Sequence, residues 1–168
     1  MNAPMNAPNA GDVPVAVVDI DGVLADVRHR LPHLDIRPPD WASFFATMGD
    51  DPPLPEGQAV AAELARGHRL IYVTGRPARY ADVTARWLKA HGLPDGEIIC
   101  RPDGDRRPAH VLKLAVVAEI ARRSRVALCV DDDQKVLAAL RGGGFAVFEA
   151  DWAVGTVDLL AAQQSGQT

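Results

Sequence analysis

Cysteine is nearly absent from this 168-residue chain, which has only Cys100 and Cys129. Two thiols are too few for a disulfide framework or a zinc site at ligand spacing. Both lie inside apolar runs that read as strands, so buried free thiols are expected. No apolar run approaches the length that crosses a bilayer. The N-terminus lacks the basic flank and apolar stretch of a secretory signal, so a cytoplasmic protein with no membrane partner is expected. Positive charge is also short: the net charge is −4, which argues against broad, non-specific nucleic-acid binding but leaves room for a local basic patch. Lysine is scarcest, confined to Lys89, Lys113 and Lys135. The other basic residues are mostly arginines, which either suit bidentate phosphate recognition or reflect a bias of composition.

What remains is an ordinary soluble composition, 48% hydrophobic and 24% charged, in a length that suits one domain. Residues 1–12 repeat MNAP and read as a disordered tail. The domain is expected over 13–162, with a polar tail at 163–168. Val13–Ile20 is a continuous apolar run, as in a strand buried on both faces. Ala25 to Pro55 reads as an irregular excursion with one short helix around Trp41–Met48. A regular alternation follows. Helices are expected at Glu56–Arg66, Pro77–His91, Pro108–Arg123 and Asp133–Arg141, and strands at Arg69–Thr74, Glu97–Arg101, Val126–Val130 and Phe145–Glu149. A last short helix is expected near Thr156–Ala162. Such alternation predicts an α/β fold with a parallel sheet covered on both faces. Ligands of such sheets bind beyond the carboxyl ends of the strands.

Those ends carry the unusual residues. Asp19-Ile20-Asp21-Gly22-Val23-Leu24 follows the first strand. Two carboxylates this close need a cation or a shared proton, although a lone DxD usually does no more than close a strand. Thr74-Gly75-Arg76 follows the second strand, where a hydroxyl, exposed backbone N–H groups and a helix N-terminus would suit an anion. Lys113 lies in the first turns of the helix before the fourth strand. Asp131-Asp132-Asp133 follows that strand. One of the three is expected to cap the next helix, and the surplus suits a divalent cation.

These elements, in this order, resemble the haloacid dehalogenase (HAD) superfamily of phosphatases. The resemblance implies a Rossmann-like three-layer fold with a central parallel sheet. The excursion is too short for a substantial cap domain. It also implies roles. Asp19 is the nucleophile and Asp21 the acid and base. Thr74 and Lys113 hold the phosphoryl oxygens. Mg²⁺ is held by Asp19, by the main-chain carbonyl of Asp21 and by a carboxylate of the acidic cluster, with Asp132 first in line and Asp131 behind it or bound through water.

A narrower pattern resembles the 3′-phosphatase domain of polynucleotide kinase-phosphatases. It comprises Thr74-Gly75-Arg76, Thr84, Trp87-Leu88, Cys100-Arg101, Gly104 to Arg107, Lys113, Asp131-Asp132 and Val136, with Arg30 and Asp35 in the excursion. Asp133 stands where that family usually has arginine, Pro108-Ala109-His110 replaces a more acidic segment, and no GxxxxGK[ST] loop marks a kinase half. The implied partner is a phosphorylated substrate such as a nucleic acid end, with Gly75, Arg76 and Arg107 binding it. Arg28, Arg79, Arg101 and Arg106 are further candidates for substrate phosphates. Trp41, Phe44 and Phe45 would either stack a base or anchor the excursion. A nucleotidase or small phosphometabolite phosphatase is the alternative within enzymes. A catalytically silent metal-binding regulatory module is the alternative outside them, and the intact set Asp19, Asp21, Thr74, Lys113 and Asp132 argues against it.

Overall fold

The computed structural model describes residues 13–152. The expected tails and the helix near Thr156–Ala162 lie outside these residues. Five parallel strands form one sheet in the order β3-β2-β1-β4-β5. They are β1 (Val15–Val18), β2 (Arg69–Pro77), β3 (Gly96–Arg101), β4 (Val126–Asp131) and β5 (Val147–Glu149). The order reverses beside β1, so the carboxyl ends of β1, β2 and β4 frame the crevice where such sheets bind ligands.

All four residues of β1 are buried, and alternate side chains feed opposite layers. Ala16 and Val18 join Leu70, Tyr72, Ala61, Trp87 and Leu88, packing helices α3 (Pro55–Ala65) and α4 (Ala81–Ala90) on one face. Val15 and Val17 join Ile71, Val73, Val117, Ile120, Val136 and Leu140, packing α5 (Ala109–Arg123) and α6 (Gln134–Gly142) on the other. This is the three-layer α/β fold expected, and both cysteines are free thiols, Cys129 buried and Cys100 half-buried.

The excursion is more ordered than expected. It holds α1 (Pro32–Asp35), α2 (Trp41–Ala46) and single 3-10 turns at Arg28–Arg30 and Met48–Asp50. Asp40 caps α2, its carboxylate accepting the Ser43 N–H at 3.0 Å. Val27, Leu34, Phe44, Phe45 and Met48 form a small core of their own, closed by Trp41, Tyr80 and Val83. The Phe45 ring stacks with those of Trp41 and Tyr80, and the Phe44 ring meets Trp41 and Phe45 edge-on. The aromatics are therefore packing anchors. The segment packs against Tyr80 and Val83 at the start of α4 and is not a separate cap.

One close contact braces the loop after β1. Gly57, in the first turn of α3, is buried, and a Cβ there would come within 1.9 Å of the Val23 carbonyl oxygen. Gly57→Ala is expected to destabilise the protein by about 1–3 kcal/mol, measurable as a lowered denaturation midpoint at unchanged slope.

Candidate active site

The loop after β1 is wound around one acceptor. The Ile20 carbonyl takes N–H groups from Val23, Leu24 and Ala25 at 3.2, 2.8 and 2.9 Å. The turn passes through Gly22 at φ +81°, a conformation that favours glycine. A Cβ on Gly22 would lie 2.2 Å from Asp132 Oδ2, so the Asp132 carboxylate rests directly on this turn. Asp19 is tied to β4 by its N–H, which donates to the Val130 carbonyl at 3.0 Å. Asp19 and Asp21 are both buried, yet their carboxylates join two different charge groups.

Asp19 belongs to the first group. Lys113 Nζ sits 2.8 Å from Asp19 Oδ2 and 2.6 Å from Asp131 Oδ2. Asp131 Oδ1 accepts the Asp133 N–H at 3.0 Å, and the Asp133 side chain accepts the Lys135 N–H at 2.8 Å, which makes Asp133 the cap of α6. Carboxylate oxygens of Asp19, Asp131 and Asp132 lie within 4.8 Å of one another. Burial pushes the Asp19 carboxyl up to about 7; Lys113 pulls it down, and the Asp131 charge opposes that pull. Asp132 is held well above the ordinary carboxyl range by burial and by the charges of Asp131 and Asp19. Lys113 is raised: burial opposes its charge, and the Asp131 and Asp19 carboxylates overcome it. The partners of one ion pair thus both shift upward, which follows from their number. Three carboxylates face one ammonium, so the four side chains would carry a net charge of minus two only when all three are ionised. Hard oxygen donors carrying that excess fit one divalent cation. Thr74, within the neighbouring strand β2, is buried, and its Oγ1 accepts the Arg76 N–H at 3.2 Å.

Asp21 heads the second group. Its Oδ1 accepts from Arg30 Nη2 at 2.9 Å and from Arg76 Nε and Nη2 at 2.9 and 2.5 Å. Burial would raise its pKa, but the Arg30 and Arg76 charges outweigh burial and hold it at about 2. A fourth member, Asp51, accepts from both arginines and is itself fully buried. Asp51 is the member of this buried group that the sequence reading misses. It closes an irregular segment before Pro52-Pro53 and carries no periodic or strand-end signal.

The expectation for Thr74-Gly75-Arg76 needs correction. The strand does not end at Thr74: β2 continues to Pro77, which pairs with Arg101 of β3. The following helix α4 begins only at Ala81, after a 3-10 turn at Ala78–Tyr80. The extended backbone carries the Arg76 guanidinium inward to Asp21 and Asp51, where it is fully buried. Gly75 is likewise buried within the strand.

Outside this centre, four of the candidate arginines are already engaged. Arg28 pairs with Asp26 at 2.5 Å, Arg79 with Asp103 at 2.9 Å and Arg107 with Asp105 at 2.6 Å. Arg101 is buried, and its Nη1 donates to the carbonyls of Asp105 and Arg107 at 3.2 and 2.7 Å. It acts as a strut for the loop that presents Arg106 and Arg107.

A family model for the polynucleotide kinase PNKP phosphatase domain matches residues 14–153. The chain belongs to that family. It is therefore a HAD-type phosphatase. No curated protein matches it by sequence. Among solved structures, this chain is similar to one in the Pnkp1/Rnl/Hen1 RNA repair complex. The TM-score is 0.69 at 20% identity, over 88% of this chain and 46% of that one. A second structure of the Pnkp1/Rnl/Hen1 complex gives 0.69 at 20% identity, over 84% and 47%. The chain thus spans about half the length of these relatives. A haloacid dehalogenase-like hydrolase from Streptococcus pneumoniae is similar at TM-score 0.57 and 16% identity, over 90% of this chain and 91% of that one. Identities this low speak to the fold, and they agree on the three-layer sheet. Among the described residues no helix is long and apolar enough to cross a membrane.

Proposed function

We propose that this domain is a Mg²⁺-dependent phosphomonoesterase that works through a phosphorylated Asp19 and removes a terminal 3′-phosphate from a nucleic acid end. One observation carries the chemistry: the two carboxylates of the DxD pair sit in opposite electrostatic surroundings. Asp19 lies among acids with one lysine, and Asp21 lies between two arginines. Pairs of carboxyls pushed apart in this way take different roles, and the resting order, Asp19 high and Asp21 low, would be reversed by a cation that lowers Asp19 and a docked phosphate that raises Asp21.

Asp19, Asp132 and the main-chain carbonyl of Asp21 would hold Mg²⁺, with Asp131 behind them. When bound, the cation neutralises the carboxylates that would otherwise repel a phosphate dianion. The Asp19 carboxylate attacks phosphorus, and the bond from phosphorus to the ester oxygen breaks. Lys113 and Thr74 hold the non-bridging oxygens as charge redistributes over them. The leaving alkoxide takes its proton from Asp21. Asp21 rests as an anion in the free protein. The negative charge of a docked phosphate favours its protonation, the direction in which a like charge moves a carboxyl. Asp21 then takes a proton from the water that attacks the phosphorylated Asp19, and phosphate is released.

The substrate reading rests on the family match and on the open mouth, where among the described residues no folded cap encloses a small molecule. Arg107 and its neighbours on the loop braced by Arg101 stand at the strand ends, where the next phosphates of a strand would lie. Phosphate release from 3′- and 5′-phosphorylated oligonucleotides, mononucleotides and p-nitrophenyl phosphate tests it. The 3′-phosphorylated oligonucleotide is expected to be turned over best, with KM rising as salt rises. Arg107→Ala should weaken oligonucleotide turnover by roughly tenfold, about the value of one charge-assisted hydrogen bond, while p-nitrophenyl phosphate turnover stays unchanged.

A second reading, a nucleotidase, draws on the mouth arginines. Each of Arg28, Arg79 and Arg107 is already paired with an aspartate, which lowers the local field on a polyanion. Mononucleotides hydrolysed as well as oligonucleotides, with no salt dependence, would establish that reading instead.

A further inference from the structure

We propose that Asp51 is a positioning residue for the reaction: it holds Arg30 and Arg76 so that both grip Asp21 by Oδ1 alone, leaving Oδ2 outside the grip for proton transfer. The inference rests on the acid–base role proposed above for Asp21. It concerns a residue 30 positions away in sequence, and no motif points to it.

The geometry is specific. Arg30 makes its two-pronged pair with Asp51 and not with Asp21: Nε donates to Oδ1 and Nη2 to Oδ2, both at 2.8 Å. Only the shared Nη2 reaches on to Asp21 Oδ1, at 2.9 Å. Arg76 places Nε and Nη2 on that same Asp21 oxygen, and its Nη2 also donates to Asp51 Oδ2 at 2.9 Å. Among the described residues, no guanidinium hydrogen bond is made to Asp21 Oδ2. A guanidinium beside a lone carboxylate prefers to fork across both oxygens. Asp51 supplies the competing acceptors that prevent this at Asp21.

The arrangement is also fixed in place. The side chains of Arg30, Arg76 and Asp51 are fully buried. Arg30 lies over the Phe44 ring at 4.2 Å and Arg76 near the Trp87 ring at 5.7 Å. Trp87 Nε1 donates to the Asp51 main-chain carbonyl at 2.8 Å, tying the acid to α4. Two carboxylates balance two guanidiniums. Removing the Asp51 charge leaves the arginines one carboxylate, Asp21, and puts an amide N–H₂ where an acceptor oxygen stood, which frees Arg30 to close over Oδ2.

The test compares kcat/KM, which reports on steps up to formation of the phosphoenzyme, for two esters. A 3′-phosphorylated oligonucleotide leaves as an alkoxide that needs a proton, whereas p-nitrophenyl phosphate leaves as a stable anion. Asp51→Asn is expected to lower oligonucleotide kcat/KM about 10- to 100-fold through kcat, with p-nitrophenyl phosphate within about threefold. Asp21→Asn should show the same selectivity more strongly. If Asp51→Asn does not fold, Trp87→Phe carries the test: it keeps the ring by Arg76, removes the tether and should give the same selectivity in weaker form. Equal losses on both esters, or none, while Asp21→Asn discriminates would overturn the role of Asp51 and leave that of Asp21 standing. Failure of Asp21→Asn to discriminate would remove the acid role and this proposal with it.

Discussion

Asp19→Asn is expected to abolish phosphatase activity, by on the order of 10⁴-fold or more, in a protein that remains folded. The amide has nearly the shape of the carboxylate but no lone pair able to attack phosphorus. The stability side of the prediction follows from the surroundings. The Asp19 carboxyl is raised by burial to about 7 in the folded protein, so its ionised form opposes folding wherever the pH exceeds its unfolded value. Replacing it with a neutral amide removes that cost, and Lys113 keeps its contact with Asp131. The melting temperature of the metal-free variant at neutral pH should therefore equal or exceed that of the parent. Loss of activity together with a collapsed circular dichroism spectrum would mean that Asp19 is structural. Near-parental turnover would remove it from the chemistry.

Removing divalent cations is expected to abolish turnover as completely, and Mg²⁺ should restore it. The basis is the excess of carboxylates over ammonium among Asp19, Asp131, Asp132 and Lys113, which reaches minus two when all three acids are ionised. Metal binding must displace the protons that burial favours on Asp19 and Asp132, so the affinity for Mg²⁺ should rise with pH through the range around 7. Asp132→Ala should raise the Mg²⁺ concentration for half-activity at least about 100-fold. Its carboxylate lies against Gly22, between the two strand ends that supply the other ligands. Calorimetric titration with Mg²⁺ at two pH values checks both statements, and full activity in excess chelator would refute them.

Much of this centre is legible in the sequence alone. Burial on both faces makes β1 a continuous apolar run, and the polar residues after Val18 then mark a strand end. The same logic finds Asp131 to Asp133 after β4 and predicts a cap among them, which is Asp133. Lys113 was legible through scarcity and order. The arginine group was not. Arg30 and Asp51 stand 21 residues apart and meet because the excursion folds around Phe44, Phe45 and Met48. Scattered aromatics on short helical turns have no period to read. The end of β2 was misplaced because Thr74-Gly75-Arg76 looks like punctuation. Pairing with β3 and the inward pull on Arg76 keep it extended instead.

The account stands most directly on the covalent step. The purified protein with Mg²⁺ is mixed with a phosphorylated oligonucleotide, quenched in acid within milliseconds to seconds, digested and analysed by mass spectrometry. A phosphoryl adduct, labile to hydroxylamine, should appear on the peptide carrying Asp19 and be absent from Asp19→Asn. Brisk phosphate release with no adduct on that peptide at any quench time, or with the phosphoryl group on another residue, would contradict it.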